Sequence, residues 1–460
     1  MSHPSTFRLP NRSAFLTLFL LAAVGVPGAR AQVPEEEVQP FFIGTFVGAN
    51  VFEWGDLRAA PGGPADLPGI VDDLADRGLN AVWVTGFDGG MYGDISLMRV
   101  WLDAAGRRGV KVVLQGSGVP YVIQRQGAEV ADETLRAARE EVAPAWAAVA
   151  RTYGRHPALL AYSPVEEIGD NVELGENQTL RALAEVARAV AEVDPLHPTT
   201  TIHIASWSNV AIEEARLRRD GPGRIRVIVY DNYPFSHPIP DWADVSDPAL
   251  AAATPAEAVS MYVEFLDRWV AIGRDANVPV WVMAQGHSST WTRVLDGVPV
   301  TRALSRAPTE AEMRLQIWAA VLAGAKGIFF FQYHSSPRFP PEIEATLQEW
   351  EVGTGLRTLD GEATPSYEAL AVIATSLKPH LDRIGRLEPD GGPAMGVDRV
   401  PGVLARGFRD PANGTRWVVV LNRDIEAPRT IAAGAEVAGV RLAADLDLAP
   451  GDGTILEVRE

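Results

Sequence analysis

The most informative stretch of this chain is His156-Pro157-Ala158-Leu159-Leu160-Ala161-Tyr162-Ser163-Pro164-Val165-Glu166-Glu167, an apolar run that ends on two adjacent carboxylates. An interior strand of a parallel sheet covered on both faces is typically such a nearly continuous apolar run. Barrel enzymes built from parallel strands carry their chemistry at the carboxyl ends of those strands. The stretch therefore predicts the fourth strand of a (β/α)8 barrel, with an acidic site where that strand ends.

Segments of strand and helix character alternate along the chain from about residue 40 to residue 335, which predicts a parallel sheet. Eight such units favour a closed (β/α)8 TIM barrel with long loops over a doubly wound sheet, because no glycine-rich phosphate turn follows the first strand. Besides the opening stretch, strands are predicted at 41–47, 79–84, 110–114, 199–204, 224–229, 278–284 and 327–331. Helices are predicted at 67–77, 95–108, 131–153, 178–193, 255–274 and 309–323.

From about residue 387 the pattern changes to short β-like runs at 402–408, 416–422, 429–431 and 454–458. Turn-forming sequences at 410–414 and 450–453 separate these runs. The change predicts a small antiparallel, sandwich-like β domain over residues 386–460, after a barrel domain over residues 32–385.

The first 31 residues resemble a secretory signal peptide. Arg8 and Arg12 precede an apolar run too short for a membrane span, and Ala29-Arg30-Ala31 offers small residues for cleavage. The mature protein is expected to be exported to the periplasm or the extracellular space, with no membrane insertion after cleavage. The net charge of −18 argues against nucleic acid as a partner, and the absence of cysteine excludes disulfides and thiolate chemistry.

Carboxylates, amides and aromatic residues dominate the predicted strand ends. Sugars require this mixture, because their hydroxyls take hydrogen bonds and the C–H faces of their rings stack on aromatic side chains. Cleavage of a glycosidic bond also needs a carboxyl group to protonate the leaving oxygen. The candidate site residues are Asn50, Glu53, Trp54, Asp88, Gln115, Glu166, Glu167, His203, Trp207, Asp231, Tyr233, Gln285, His287, Trp291, Gln332 and His334.

Strand alternation separates the two glutamates of the opening stretch. Ala161, Ser163 and Glu167 share one parity, whereas Tyr162 and Glu166 share the other. Small residues are expected to face the crowded interior of a barrel. Glu167 is therefore expected over the barrel mouth, with Glu166 beside it in a supporting position.

The predicted barrel resembles that of the large glycoside hydrolase superfamily with its acid/base on strand four and its nucleophile on strand seven. Four phrases carry the resemblance in chain order: the opening stretch with Glu167, the sequence 194–198 (DPLHP), the sequence 231–234 (DNYP) and the sequence 324–328 (GAKGI). The resemblance implies a carbohydrate substrate, Glu167 as general acid and no cofactor. The carboxy-terminal β domain is also similar to domains that follow such barrels.

One position departs from the superfamily pattern. Gln285 stands where a glutamate is expected to end strand seven, and an amide cannot attack an anomeric carbon. Gln285 is therefore expected to bind substrate as an amide at the nucleophile position.

Three explanations for this departure remain open. In the first, Asp231, or behind it Asp88 or Glu53, serves as the second carboxylate, with roughly 6.5–9.5 Å between the carboxyls if a water attacks. In the second, an N-acetyl group of the substrate acts instead, since Tyr230-Asp231 resembles a pair in family 18 chitinases. In the third, the barrel binds glycans without cleaving them. His203, His287 and His334 lack the local spacing of a metal site, so no metal is expected.

Overall fold

Eight parallel strands form a closed barrel in the computed structural model of this chain. The structure describes residues 39–48, 66–85, 96–116, 135–164, 178–204, 207–221, 223–235, 254–295, 297–336, 349–391, 394–397 and 400–458. Seven barrel strands are β1 (Phe42–Val47), β2 (Ala81–Thr85), β3 (Lys111–Gln115), β4 (Leu159–Ser163), β5 (Thr199–Ile204), β6 (Ile225–Asn232) and β7 (Val280–Gln285). A hairpin of β8 (Ser288–Leu295) and β9 (Val298–Ser305) follows, and then the eighth barrel strand, β10 (Gly327–Phe331).

Strand β10 pairs with both β7 and β1 and closes the barrel, which confirms the (β/α)8 prediction. The helices are α1 (Leu67–Asp76), α2 (Ser96–Arg108), α3 (Ala143–Tyr153), α4 (Gln178–Val193), α5 (Trp207–Asp220), α6 (Pro255–Asp275), α7 (Glu310–Ala323), α8 (Pro365–Leu377) and α9 (Leu381–Arg386). A π-helical turn (Ala138–Val142) leads into α3, and a 3₁₀ turn (Lys378–His380) leads into α9.

The predicted start of α7 is confirmed by its capping box. The Glu312 backbone N–H donates to Thr309 Oγ1 at 3.3 Å, and the Glu312 carboxylate accepts from the Thr309 N–H at 2.8 Å. This reciprocal pair satisfies donors that every helix start leaves open. From Leu315 to Ala323 the helix is buried all round, because it lies between the barrel and the carboxy-terminal sheet.

Strand alternation divides the apolar core into a barrel interior and an outer layer under the helices. Trp83, Trp281 and Phe329 fill the interior, with Trp83 and Phe329 ring centroids 5.3 Å apart. Ala161 belongs to this interior group, whereas the neighbouring Tyr162 points outward and its hydroxyl donates to Asp194 at 2.7 Å. The parity assigned to β4 from the sequence therefore holds at Ala161 and Tyr162, whereas Leu160, at an irregularity in the pairing with β3, also packs in the interior.

A polar cluster ties α1 to the segment that follows β10. The Asp73 carboxylate accepts hydrogen bonds from the Tyr367 and Tyr333 hydroxyls at 2.7 and 2.8 Å, and from Arg77 Nε and Arg357 Nε at 3.1 Å each. Burial alone would raise the pKa of Asp73, but the hydrogen bonds from Arg357, Tyr367 and Tyr333 lower it overall. Asp73 is therefore a charged anchor between the first and last units of the barrel.

The β8–β9 hairpin was not predicted. It joins β11 (Glu349–Thr354) in a three-stranded antiparallel sheet in the order β11-β8-β9. The sequence does carry a signal for it: Asp296-Gly297 stands between two runs rich in β-branched residues, a pattern that favours a two-residue hairpin. Gly297 has a φ of +79°, as such turns require. Because the hairpin follows the carboxyl end of β7, it is an insertion on the mouth side of the barrel.

The carboxy-terminal residues form small antiparallel sheets, which confirms a β domain after the barrel. The strands are β12 (Glu388–Pro389), β13 (Met395–Gly396), β14 (Val403–Arg409), β15 (Arg416–Asn422), β16 (Arg429–Ile431), β17 (Glu436–Val437), β18 (Val440–Arg441), β19 (Leu446–Leu448) and β20 (Gly453–Glu457). Arg406 connects this domain to α7 by donating to the carbonyl oxygens of Leu322 and Ala323. The exact boundary near residue 385 stays a prediction.

The predicted signal peptide, residues 1–31, lies outside the described residues. None of the helices that the structure describes is long and apolar enough to cross a membrane.

Candidate functional site

The carboxyl ends of the barrel strands carry polar side chains on the interior parity of the barrel. Thr85 pairs with Gln115 and Gln115 with Ser163, while Ile204 pairs with Asp231 on the opposite side. Residues on this parity lie above the apolar interior that Trp83, Trp281 and Phe329 fill. They define the floor of the barrel mouth, which is where (β/α)8 proteins place their active sites.

Among the residues that the structure describes, Asp231 is the carboxylate at the carboxyl ends of the barrel strands that faces the interior. It follows the interior residues Val227 and Val229 at two-residue spacing, so its side chain is directed to the barrel interior, and only 5% of it is exposed. Its register partner Ile204 is 41% exposed, so solvent reaches the mouth beside it. The structure thus supports the interior position that the proposed second carboxylate needs.

Tyr230 does not share the mouth with Asp231. Its ring packs against Trp269 and Phe265 of α6, with centroids 5.6 and 6.2 Å apart, in the layer between barrel and helices. Adjacent residues of a strand point to opposite faces. The Tyr230-Asp231 pair that suggested a substrate-assisted mechanism is therefore split across the barrel wall.

Aromatic rings gather beside the mouth at the ends of β6, β7 and β10. Tyr233 lies 5.0 Å from His287 and 5.7 Å from Phe331, centroid to centroid, and Phe331 lies 5.1 Å from Phe46. Tyr233 and Phe331 are half-buried, so each keeps some ring surface in contact with solvent. Partly exposed rings next to polar groups are what a sugar-binding site requires.

His287 is held in this aromatic group as a neutral imidazole. Its Nδ1 lies 2.9 Å from the Phe331 carbonyl oxygen, and only 4% of the residue is exposed. Burial lowers the pKa of His287 to about 4, although the Phe331 carbonyl opposes the shift. At neutral pH Nδ1 therefore carries the proton and donates to that carbonyl, which leaves Nε2 as a hydrogen-bond acceptor.

Gln285 is fully buried, and protein groups engage all the polar atoms of its side chain. Its Oε1 accepts from the Phe235 backbone N–H at 2.8 Å. Its Nε2 donates to the carbonyl oxygens of Arg306 at 2.8 Å and His287 at 3.2 Å. The amide thus joins the segment after β6, the segment after β7 and the exit of the β8–β9 hairpin.

These contacts change the interpretation of Gln285. An amide supplies the two N–H groups that the Arg306 and His287 carbonyls require, whereas a glutamate would place an oxygen against both of them. Both polar atoms of the side chain thus already bond to the protein, and the side chain is fully buried. The geometry gives Gln285 a positioning role in the wall of the mouth in place of the substrate contact expected from the sequence.

Gln115 and Gln332 also bond to the protein. Gln115 is fully buried; its Oε1 accepts from the Trp83 indole N–H at 2.5 Å, and its Nε2 lies 3.5 Å from Thr85 Oγ1. Gln332 is half-buried, and its Nε2 donates to Ser336 Oγ at 3.3 Å. Gln115 therefore shapes the floor of the mouth from below, and Gln332 is the more accessible of the two amides.

His203 lies outside the barrel mouth, contrary to the expectation from the sequence. Ile202 faces the barrel interior, so His203 faces the helices, where its Nε2 lies 3.2 Å from Glu213 Oε2 and its ring stacks 5.0 Å from Trp269. Burial alone would raise the pKa of Glu213, but His203 and Arg216 outweigh it and lower that pKa to about 2. His203 is a buried structural partner of a charged glutamate, not a substrate contact.

The other histidine and tryptophan predictions have mixed outcomes. His334 is buried after β10, where its backbone bridges to Arg357, and His203 and His287 lie on opposite sides of the barrel wall. The described part of the chain contains no group of three or more His, Asp or Glu that could hold a metal ion. Trp207 is the first residue of α5, and Trp291 lies within β8.

The remaining candidates lie outside the described residues: Asn50, Glu53, Trp54, Asp88, Glu166 and Glu167. Sequence reasoning missed Phe46, Thr85, Ile204 and Phe331 as residues at the mouth. Extending the interior parity of each strand to its last residue would have found all four, because each lies two or four positions beyond an interior residue.

Comparisons with known proteins bear on the fold alone. No protein-family model matches the chain, and no curated protein matches its sequence. Among solved structures, the chain is similar to a β-galactosidase from the psychrophilic Marinomonas ef1, with a TM-score of 0.50 and 13% identity over 76% of this chain and 62% of that one. It is also similar to a Bacteroidetes-affiliated GH5 cellulase, with a TM-score of 0.49 and 12% identity over 75% of this chain and 95% of that one.

This chain spans about three fifths of the length of that β-galactosidase. At 13% identity the likeness to the β-galactosidase shows the fold, a closed parallel (β/α)8 barrel, and nothing finer.

Proposed function

We propose that the barrel mouth binds a carbohydrate and hydrolyses a glycosidic bond, with Glu167 as general acid and Asp231 as the second carboxylate. The observation that carries the proposal is the position of Asp231, a carboxylate on the interior parity of β6 beside a half-buried aromatic group. A buried carboxylate next to partly exposed rings suits a ligand that is both hydroxylated and flat-faced.

The two carboxyl groups would have different roles in the reaction. Protonated Glu167 gives its proton to the glycosidic oxygen as the bond to the leaving sugar breaks. The Asp231 carboxylate either takes a proton from the attacking water or attacks the anomeric carbon itself, and the separation of the two carboxyls decides between these routes. If water attacks, Asp231 ends protonated and Glu167 ionised, and proton exchange with solvent restores both. If Asp231 attacks, the Glu167 carboxylate then takes a proton from a water that breaks the glycosyl–Asp231 bond, which leaves Glu167 protonated and Asp231 ionised as at the start.

Other groups at the mouth would bind the sugar. Tyr233 and Phe331 offer ring surface for stacking, and His287 Nε2 can accept a hydrogen bond from a sugar hydroxyl. Gln285 would hold the hairpin at the edge of the mouth. We propose further that the protein acts outside the cytoplasm, because its amino terminus resembles a secretory signal.

A second function is favoured by one observation. Gln285 occupies the position where the resembling superfamily carries its nucleophile, and it is bonded into the wall of the mouth. A barrel with this arrangement and no substitute carboxylate would bind glycans without turnover.

Turnover by variants distinguishes the two functions. Wild type, Glu167→Gln, Asp231→Asn and Glu166→Gln would be incubated with a panel of oligosaccharides and polysaccharides, and released reducing ends would be measured. Hydrolysis is expected for wild type and Glu166→Gln and is expected to fall at least about 100-fold in the other two, as loss of acid or base catalysis predicts. Glycan binding by all four proteins with turnover by none would establish the non-catalytic function.

A further inference from the structure

Gln316 lies near the middle of α7 and bonds to the backbone at the end of β7. Its Oε1 accepts from the Gln285 N–H at 2.8 Å, and its Nε2 donates to the Gln285 carbonyl oxygen at 3.0 Å. An amide side chain carries both an acceptor and a donor group, so one side chain satisfies both backbone groups of this residue. Gln316 therefore attaches the Gln285 main chain to the helix, in addition to the contacts of the Gln285 side chain with the wall of the mouth.

Gln316 is a fully buried amide in an apolar part of its helix. Leu315 on one side of it and residues 317–323 on the other are all buried and apolar. Burial of an amide is unfavourable unless its hydrogen bonds are made, and a leucine or a methionine would fill the space without that requirement. The two backbone groups at the end of β7 explain why an amide stands at this position.

A second residue of α7 reaches the same point by another route. Glu312, one turn before Gln316, binds the Arg306 guanidinium through Nη1 at 2.7 Å and Nη2 at 2.5 Å. The Arg306 carbonyl oxygen accepts from Gln285 Nε2 at 2.8 Å, and the Arg306 N–H donates to the Phe235 carbonyl oxygen at 3.2 Å. The end of β7, the exit of the β8–β9 hairpin and the segment after β6 are therefore all attached to α7.

The residues that α7 holds are close neighbours of residues that face the mouth. Tyr233 precedes Phe235 by two positions, and His287 follows Gln285 by two positions. The Tyr233 and His287 rings lie 5.0 Å apart, and His287 Nδ1 lies 2.9 Å from the Phe331 carbonyl oxygen. A shift of the Gln285 main chain would therefore change both the spacing of these two rings and the hydrogen bond of His287.

We propose that Gln316 is a positioning residue of the barrel mouth, which holds the Gln285 main chain and thereby sets the places of His287 and Tyr233. Gln316 is fully buried, so it acts through these residues and not by touching a sugar. The inference rests on the proposed function, because the mouth is taken as a carbohydrate site. Asp231 lies within β6, whose pairing with β5 and β7 does not involve Gln316, so loss of Gln316 should affect sugar binding more than the chemical step.

Three variants of the full chain test the proposal. Gln316→Met removes both hydrogen bonds at a similar side-chain length. Gln316→Glu keeps the acceptor for the Gln285 N–H, and in its protonated form it also supplies a donor for the Gln285 carbonyl. Asn422→Leu is the matched control, because Asn422 is another fully buried amide that donates to backbone carbonyls, those of Ala427 and Ala449, but lies in the carboxy-terminal domain. Denaturant unfolding would establish that each variant is folded.

The ring of His287 provides a measurement that needs no substrate. The histidine ring signals would be followed by NMR as the pH is changed, with the signal of His287 assigned by its absence from His287→Gln. Wild type and Asn422→Leu are expected to keep the low pKa of His287, about 4. In Gln316→Met this pKa is expected to rise towards its ordinary value of 6.5, because a displaced wall admits water to the ring. Gln316→Glu is expected to match wild type, because a buried glutamate stays protonated in that pH range and restores both hydrogen bonds.

Sugar binding provides the second measurement, with a glycan that wild type cleaves or binds. Gln316→Met should raise KM or Kd about tenfold, the effect of about one lost stacking contact, whereas kcat should stay within about threefold of wild type. Asn422→Leu should change these constants by no more than about twofold, because it lies far from the mouth.

The two measurements separate failure of this inference from failure of the proposed function. If wild type neither binds nor cleaves any glycan, the proposed function fails, and the His287 titration alone decides the role of Gln316. A His287 titration in Gln316→Met that matches wild type would overturn the proposal. So would a KM or Kd of Gln316→Met no higher than that of Asn422→Leu, for a glycan that wild type binds.

Discussion

Replacement of Gln285 by glutamate restores the residue that the superfamily pattern expects, and the structure predicts that it will destabilise the protein without raising its glycoside hydrolase activity. The new carboxylate can still accept from the Phe235 N–H, as Oε1 does now at 2.8 Å. Its second oxygen would replace Nε2, which donates to the Arg306 and His287 carbonyls at 2.8 and 3.2 Å. Two hydrogen bonds are lost, and three oxygens then face one another in a fully buried site.

The cost depends on pH. A protonated glutamate at this position can donate to one of the two carbonyls, so at low pH the loss is about 1–3 kcal/mol, the penalty for leaving one buried acceptor unsatisfied. Above the ordinary glutamate pKa of ~4.3 the unfolded chain ionises, whereas burial keeps the folded side chain protonated. The folded state then binds more protons than the unfolded state, and stability falls by about 1.4 kcal/mol per pH unit until the folded pKa is reached.

Denaturant unfolding followed by tryptophan fluorescence at several pH values between about 4.5 and 8 measures this effect, a range that starts just above the ordinary glutamate pKa. Gln285→Met is the matched control, because it removes the same hydrogen bonds but introduces no charge, so its loss of stability should not change with pH. The glutamate variant should be the less stable of the two at neutral pH. Unfolding of Gln285→Glu at the wild-type denaturant concentration at every pH, or glycoside hydrolase activity above that of wild type, would contradict the prediction.

Three further outcomes follow from the structure. Burial lowers the pKa of His287 from 6.5 to about 4, so between those pH values the unfolded chain binds a proton that the folded chain does not. The free energy of unfolding should therefore fall by up to about 3 kcal/mol as the pH drops through this range. Denaturant unfolding of His287→Gln should lack this pH-dependent loss. Asp73→Asn should cost about 2–4 kcal/mol, because it leaves two arginines without their shared carboxylate, as urea unfolding would reveal. Gly44→Ala should reduce soluble expression, because the added Cβ would lie 2.6 Å from the Ala81 carbonyl oxygen, whereas Gly396→Ala meets nothing nearby and should not.

The sequence predicted the barrel because its pattern is local. Each barrel strand is a short apolar run followed by polar residues, and each of these runs became a strand in the expected order. The β8–β9 hairpin was not predicted because its strands mix polar and apolar residues and stand between a barrel strand and its helix. Its only clear signal was the pair Asp296-Gly297.

Whether the side chain of a site residue points into the barrel mouth or towards the helices was harder to predict. His203 lies one position from the interior residue Ile202, and the register between β5 and β6 shifts at Thr199–Thr200, which no sequence pattern signals. The role of Gln285 depends on partners 50 and 21 residues away in the chain, Phe235 and Arg306. Local sequence can suggest that a residue ends a strand, but such distant contacts decide whether its side chain meets a ligand or the protein.

The position of a glycan on the barrel tests the proposed function most directly. A crystal structure of Asp231→Asn with a bound oligosaccharide, chosen from the substrates that wild type cleaves or binds, would locate it. We expect a sugar ring in the mouth, stacked on Tyr233 or Phe331 and within hydrogen-bond distance of residue 231, with the Gln285 amide still bonded to Arg306 and His287. A glycan bound away from the mouth, or contacted directly by the Gln285 amide, would contradict this expectation.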